Sequence, residues 1–157
     1  MMMNLTLVAV AGSDPALRDA LLCESLPTDD LTEDGRLFFV GRSGVGEVVG
    51  FCGLEACGGD VLLRSLVVVP AFRGQGHGHV LAAMTISRAP AHGDVYLATT
   101  SATPLFTTLG FEPINRNDLP PAVLATRQLS GLCPASATVM KLARFRSEQQ
   151  KSHDPIT

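Results

Sequence analysis

The stretch Leu62–Met84, LLRSLVVVPAFRGQGHGHVLAAM, constrains what this chain can fold into more than any other. Its first part, Leu62–Val69, is an apolar, β-branched run of the kind that forms a buried strand. Pro70 ends it, because a proline cannot donate to a ladder. Arg73-Gly74-Gln75-Gly76-His77-Gly78 follows, and Val80, Leu81, Ala82, Ala83, Met84 and Ile86 then form an apolar helical stripe. A strand therefore passes through a glycine-rich turn into a helix. The first turn of a helix has unpaired N–H groups and the positive end of the macrodipole. Glycine lets that backbone approach a phosphate with no Cβ in the way. The spacing predicts an anion site in which Gly74, Gly76 and Gly78 aim amides at a diphosphate and Arg73 adds a charge at the rim.

Other glycine loops fit less well. A dinucleotide fold needs GxGxxG early in a βαβ unit and an acidic residue about 20 positions on. Here the spacing is RGQGHG in mid-chain, and Asp94 opens a strand instead of ending one. A P-loop needs Gly-Lys-Ser/Thr, which is absent. A plain tight turn is the remaining alternative.

A chain of 157 residues suits one domain with a proper core. Its net charge of −3 argues against a nucleic-acid-binding surface, so an anionic ligand must be held locally. The start, MMMNLTLVAVAGSD, lacks a basic segment and its apolar stretch is too short to span a membrane. The expectation is a soluble, cytoplasmic protein with no membrane or nucleic-acid partner. Cys23, Cys52, Cys57 and Cys133 make no CxxC pair, and the histidines lack zinc-finger spacing, so no metal site is expected and the cysteines read as reduced.

In chain order, Leu5–Ala11 reads as a strand. A helix capped by Ser13 or Asp14 follows, with Pro15 in its first turn. Leu26–Gly35 is polar and turn-rich, anchored by Leu31. Leu37–Val40 and Val45–Leu54 form a hairpin, and Ala56–Asp60 turns the chain into the central strand. The helix after the glycine loop ends before Pro90, and Asp94–Thr99 is a strand parallel to the central one. Ala102–Leu109 is a short helix closed by Gly110, and Phe111–Ile114 opens the next strand. A helix from Pro120-Pro121 through Leu129 and a last strand, Ala137–Leu142, complete a domain over 1–143. A polar tail, 144–157, frays. This order predicts an α+β (mixed α/β) domain with one central sheet.

The glycine stretch resembles motif A of the GNAT N-acetyltransferase superfamily, Arg/Gln-x-x-Gly-x-Gly/Ala, with Arg73, Gly76 and Gly78 in its places. LFTTLGFEPI resembles the family's motif B. The likeness runs from about Leu5 to Leu142, nearly the whole chain. It implies a mixed sheet of about six to seven strands flanked by helices and splayed between the fourth and fifth, with acetyl-CoA as cosubstrate. It further implies cofactor contacts from Leu66, Val67, Val68 and Val69 and from Arg73, Gly74, Gln75, Gly76, His77, Gly78 and His79, with Thr100 and Phe106 added. Val67 and Val69 are expected to pair with the pantetheine through their backbone, and a backbone N–H to polarise the thioester carbonyl.

Amine acetylation also needs a neutral amine and a protonated leaving thiol. Deprotonating an α-amino group at pH 7 costs roughly 1 kcal/mol and a lysine amine about 4.6 kcal/mol. Glu55, after the apolar run GFCGL, is the candidate base, with a solvated strand-end glutamate as the alternative. Phe106 stands where many members carry a tyrosine acid, which leaves water or a hydroxyl of Thr99, Thr100 or Ser101. Tyr96, the sole tyrosine, reads as a packed ring. Arg64, a cation inside an apolar strand, needs a partner. That partner is either a protein carboxylate or the carboxylate of a substrate, and strand alternation puts Arg64 and Val67 on opposite faces. Arg127, Arg116 and Cys133 lie in the variable segment and are further substrate candidates.

LPPAVLATRQLSGLCPASATVMKL, with LLRSLVVVPAFRGQG, is similar to GNAT proteins linked to arsenic resistance and, more distantly, to N-acetylglutamate synthase-like domains. Both suggest a small amino-acid-like acceptor, attacked directly in a ternary complex. Alternatives are a non-catalytic acyl-CoA sensor or structural module and a binder of nucleotide diphosphates. A homodimer through a sheet edge or the ATVMKL strand stays open beside a monomer.

Overall fold

The computed structural model describes residues 4–144. Seven strands form one mixed sheet: β1 (Thr6–Val10), β2 (Arg36–Arg42), β3 (Val48–Cys57), β4 (Asp60–Val68), β5 (Val95–Thr99), β6 (Glu112–Pro113) and β7 (Thr138–Leu142). Their order is β1-β2-β3-β4-β5-β7-β6. The helices are α1 (Pro15–Cys23), α2 (His77–Ile86), α3 (Thr103–Thr108) and α4 (Pro121–Leu124). The α+β class and the predicted sheet are therefore observed. The parallel register of β4 with β5 comprises only Val61↔Val95 and Leu62↔Tyr96, although β4 continues to Val68. The chain divides into two compact units. Among the described residues, one holds 4–55 together with Leu63–Arg88, and the other holds Ala56–Leu62 and 89–144.

In the first unit, alternation along the strands sets the two faces. Phe38, Val40, Phe51 and Val67 form a core with Leu17 and Leu21 of α1 and with Leu31. Helix α1 starts where expected: Pro15 opens it, and the Asp14 carboxylate accepts from the Leu17 amide at 3.3 Å. The intervening positions face α2. There the chain uses glycines for close approach, since a Cβ on Gly41 or Gly50 would lie 2.9 Å from the Leu81 side chain. At Gly50 it would also lie 2.2 Å from the Val67 carbonyl oxygen. Arg88, from the turn after α2, stacks 5.2 Å from the Phe39 ring and donates to the Leu7 carbonyl at 3.0 Å.

In the second unit, Leu62, Tyr96, Val139, Leu119, Val123 and Leu129 form a separate core with Cys57. The helix expected through Leu129 is corrected here: it stops at Leu124, and a π-helix spans Gln128–Leu132. The Val123 carbonyl accepts from both the Thr126 amide at 3.2 Å and the Thr126 hydroxyl at 2.7 Å. The ATVMKL strand, β7, pairs with β5 on one side and β6 on the other. Arg144, assigned to a fraying tail, is anchored: its amide donates to the Asp94 carboxylate at 2.9 Å. The rest of the expected tail, 145–157, lies outside the described residues.

Candidate functional site

The glycine loop is built to present donors. Pro70–Phe72 forms a single 3-10 turn after β4, and Gly74 and Gly76 both take left-handed φ, +78° and +84°. Gly76 is the N-cap of α2, and no side chain caps that end. The amides of its first turn therefore have no side-chain acceptor supplied by the cap. A Cβ on either glycine would meet no protein atom within 4 Å. Glycine is demanded here by backbone conformation, and the space beside the loop is open.

Two side chains of the loop have protein partners. Arg73 is an exposed charge at the rim. Its Nε donates to the Val68 carbonyl at 2.8 Å, and one Nη bonds Glu24, just past α1, at 2.5 Å. His77 is buried, with Nδ1 at 2.9 Å from the Phe72 carbonyl oxygen and its ring edge-on to Phe72. Only its backbone N–H can serve a ligand in the loop. Gln75 and His79 are exposed beside it and Gly78 is half-buried.

Strand β4 reverses the expected roles of its valines. The Val69 amide donates to the Val49 carbonyl, and its own carbonyl accepts from the Phe72 amide, both at 2.9 Å. Val69 is thus fully occupied, and Val67 shares its orientation toward β3 by alternation. Val68, with Leu66, presents its backbone to the opposite side. The Val67 side chain sits in the core with α1.

Arg64 has a protein partner. Its guanidinium donates to both Asp30 oxygens at 2.7 Å and to Glu55 Oε1 at 2.8 Å, and it lies 5.6 Å from the Phe38 ring. Arg36, opposite Glu55 in the β2–β3 register, completes the cluster, at 2.9 Å from Asp30 and 3.4 Å from Glu55 Oε2. Asp30, Glu55 and Arg64 are all buried. Burial raises the Asp30 pKa, but hydrogen bonds from Arg64 and then Arg36, with their charges, outweigh it and bring it to about 2. Glu55 is therefore not a solvated strand end, and each of its oxygens has an arginine partner.

Alternation also fails at Arg64, which shares the Phe38 neighbourhood with Val67 instead of opposing it. The cause is Ser65, whose φ of +60° interrupts the pleat between them. Asp30, Arg36 and Ser65 were missed from sequence. Arg36 was legible, since it lies at the even spacing of Phe38 and Val40 on β2.

The remaining candidates lie in the second unit. Phe106 is buried edge-on against Phe111, with centroids 5.6 Å apart, so its ring serves packing. Thr100 is exposed, while the Thr99 hydroxyl accepts from the Ala102 amide at 2.9 Å ahead of α3. Arg127 is exposed at the start of the π-helix. Arg116 braces this segment by donating to the Leu129 and Pro134 carbonyls at 3.4 Å. Cys133 closes it, with its amide on the Gln128 carbonyl at 2.7 Å and its thiol on Gln128 Oε1 at 3.4 Å. The buried Cys52 thiol is pushed up to about 12 by burial, against hydrogen bonds with Thr85 and Gly53 that lower it. Among the described residues no group of three or more His, Cys, Asp or Glu could hold a metal ion, and no helix is long and apolar enough to cross a membrane.

Comparison with known proteins agrees with this geometry. The fold is that of acyl-CoA N-acyltransferases. It is shared with an acyl-CoA N-acyltransferase from Pseudomonas aeruginosa at 18% identity and TM-score 0.61, over 89% of this chain and 100% of the other. N-acetylglutamate synthase from Neisseria gonorrhoeae, complexed with coenzyme A and N-acetyl-glutamate, matches at 15% identity and TM-score 0.69, over 92% of this chain and 36% of that one. A Mycobacterium tuberculosis protein in complex with CoA matches at 19% and 0.67, over 88% and 98%. Residues 34–113 match the acetyltransferase (GNAT) domain, and the chain belongs to that family. No curated protein matches the sequence.

Proposed function

We propose that this GNAT protein is an acetyl-CoA-dependent N-acetyltransferase acting on the amine of a small, amino-acid-like acceptor. The observation that carries this is the uncapped N-terminus of α2. Left-handed Gly74 and Gly76 open into free space there, directly after β4. The loop amides would hold the diphosphate. The Val68 amide would meet the pantetheine, while the Val68 carbonyl accepts from Arg73, and an amide of this strand would polarise the thioester carbonyl. The acceptor nitrogen attacks that carbonyl carbon directly. The N–C bond forms, the C–S bond breaks with its electron pair on sulfur, and the proton lost by nitrogen leaves through water. Water returns a proton to the thiolate. Glu55, held by two arginines, serves as a counter-ion in this scheme.

Calorimetric titration with coenzyme A, followed by thiol release from acetyl-CoA across a panel of amino acids, simple amines and an amino-bearing organoarsenical, tests the assignment. Micromolar coenzyme A binding with turnover on an amino acid is the expected result. A protein that binds ADP as well as it binds coenzyme A refutes the assignment. The buried Phe106 ring and the paired Glu55 favour one second reading, a non-catalytic acyl-CoA sensor. It predicts tight acetyl-CoA binding with no thiol release on any amine.

A further inference from the structure

The period-2 pattern of β4 is broken at one residue, and that residue is a serine. Ser65 holds φ +60°, a conformation that glycine adopts freely and a residue with a Cβ avoids. Such a residue persists only where its surroundings over-determine it. Those surroundings are on its N-terminal side. Arg64 Nε donates to Ser65 Oγ at 3.2 Å, and the rest of the same guanidinium is spread across Asp30 and Glu55. The guanidinium is planar and rigid, so three bonds to buried carboxylates fix its orientation, and its fourth reaches the serine.

The break decides which backbone groups of β4 face where. Beyond Ser65 the Val69 amide points to β3 and finds the Val49 carbonyl. Val68 consequently points the other way. If residue 65 took an extended φ, alternation beyond it would invert. Val68 would then turn toward β3, and Val69 would lose its acceptor.

We propose that Asp30 is a positioning residue for the cosubstrate strand. Through Arg64 it holds Ser65 left-handed, and so determines which β4 amides are presented to the acyl-CoA. This rests on the acyl-CoA reading above. Asp30 comes from the turn-rich loop between α1 and β2, so the same ion pair ties that loop to the cosubstrate strand.

Three variants test this: Ser65→Gly, which keeps a positive φ available; Ser65→Val, whose β-branch opposes it; and Asp30→Asn. Coenzyme A affinity is read by calorimetry, and amide hydrogen exchange at Val68 and Val69 is read with no ligand present. Ser65→Gly is expected to bind coenzyme A within threefold of wild type with Val69 still protected. Ser65→Val should weaken binding at least tenfold and expose the Val69 amide. Asp30→Asn should act in the same direction, and its effect should shrink when it is combined with Ser65→Gly. Ser65→Val matching Ser65→Gly in both readouts overturns the proposal, as does an Asp30→Asn effect of equal size in both backgrounds. If wild type binds no coenzyme A, the functional reading fails. The exchange pattern still reports separately whether Asp30 and Ser65 set the strand.

Discussion

Replacing Asp30 with asparagine isolates a stability contribution whose sign the structure fixes. The folded carboxylate titrates at about 2 against an ordinary value of 3.8, because Arg64 and Arg36 outweigh the burial that would raise it. A group whose pKa is lower folded than unfolded stabilises the folded state above its unfolded pKa. That stabilisation is lost as pH falls through the folded value. A difference of nearly two units at 1.36 kcal/mol each gives about 2 kcal/mol, present at neutral pH and lost between roughly pH 5 and pH 2. At pH 7, Asp30→Asn should cost about 3–5 kcal/mol, because it also leaves a fully buried guanidinium short of an anion. Urea unfolding followed by circular dichroism at steps from pH 7 to pH 2 measures both quantities. The wild-type curve should fall toward that of Asp30→Asn, narrowing the gap between them by about 2 kcal/mol at the acid end. Curves that stay parallel throughout would show that Asp30 does not carry the linkage, and with that the pairing geometry would be refuted.

Other substitutions probe the loop and the cluster. Gly76→Ala places a Cβ in open space but at φ +84°, so it should cost about 1–2 kcal/mol in urea unfolding and weaken coenzyme A binding more than tenfold. Glu55→Gln should destabilise by about 3 kcal/mol or more while keeping thiol-release turnover per folded molecule within about threefold; a loss well beyond tenfold would restore Glu55 as the base. On the proposed reading, Glu24 would compete with the coenzyme A diphosphate for the Arg73 guanidinium, and the exposed Glu24–Arg73 pair is worth about 0.2–1 kcal/mol. Glu24→Gln should therefore tighten coenzyme A binding a few-fold in calorimetry, and should have no effect when Arg73 is already Gln. Gly50→Ala should abolish stable folding, judged by loss of a cooperative thermal transition, because its Cβ would lie 2.2 Å from the Val67 carbonyl oxygen.

The strands, α1 with its Asp14 cap and the glycine-loop helix were legible because each has a local cause. Apolar alternation, a capping carboxylate and a left-handed glycine act within a few residues. The broken helix after Pro121 was not, because the residues from Pro121 to Leu129 carry no glycine or internal proline to announce the stop at Leu124. The shared face of Arg64 and Val67 was not legible for a related reason. Strand alternation assumes a continuous pleat, and a serine gives no warning of a left-handed turn in the way a glycine does.

Arg64 shows how far sequence can reach into a site of this kind. A cation in an apolar strand announces that carboxylates must come from elsewhere, because an unpaired buried charge would cost too much. Which carboxylates they are depends on topology: Glu55 arrives through the adjacent strand β3, and Asp30 through a polar loop whose only visible anchor was Leu31. Asp30 and Glu55 opposite Arg64 and Arg36 balance the buried charge, and both oxygens of each carboxylate have an arginine partner. On the proposed reading, the charge of an amino-acid acceptor would be met outside this cluster. Of the sequence candidates for that task, Arg127 is the exposed cation. Arg127→Gln should raise the KM for an amino-acid acceptor at least tenfold with coenzyme A affinity unchanged, and an unaltered KM in thiol-release kinetics would remove it from acceptor recognition.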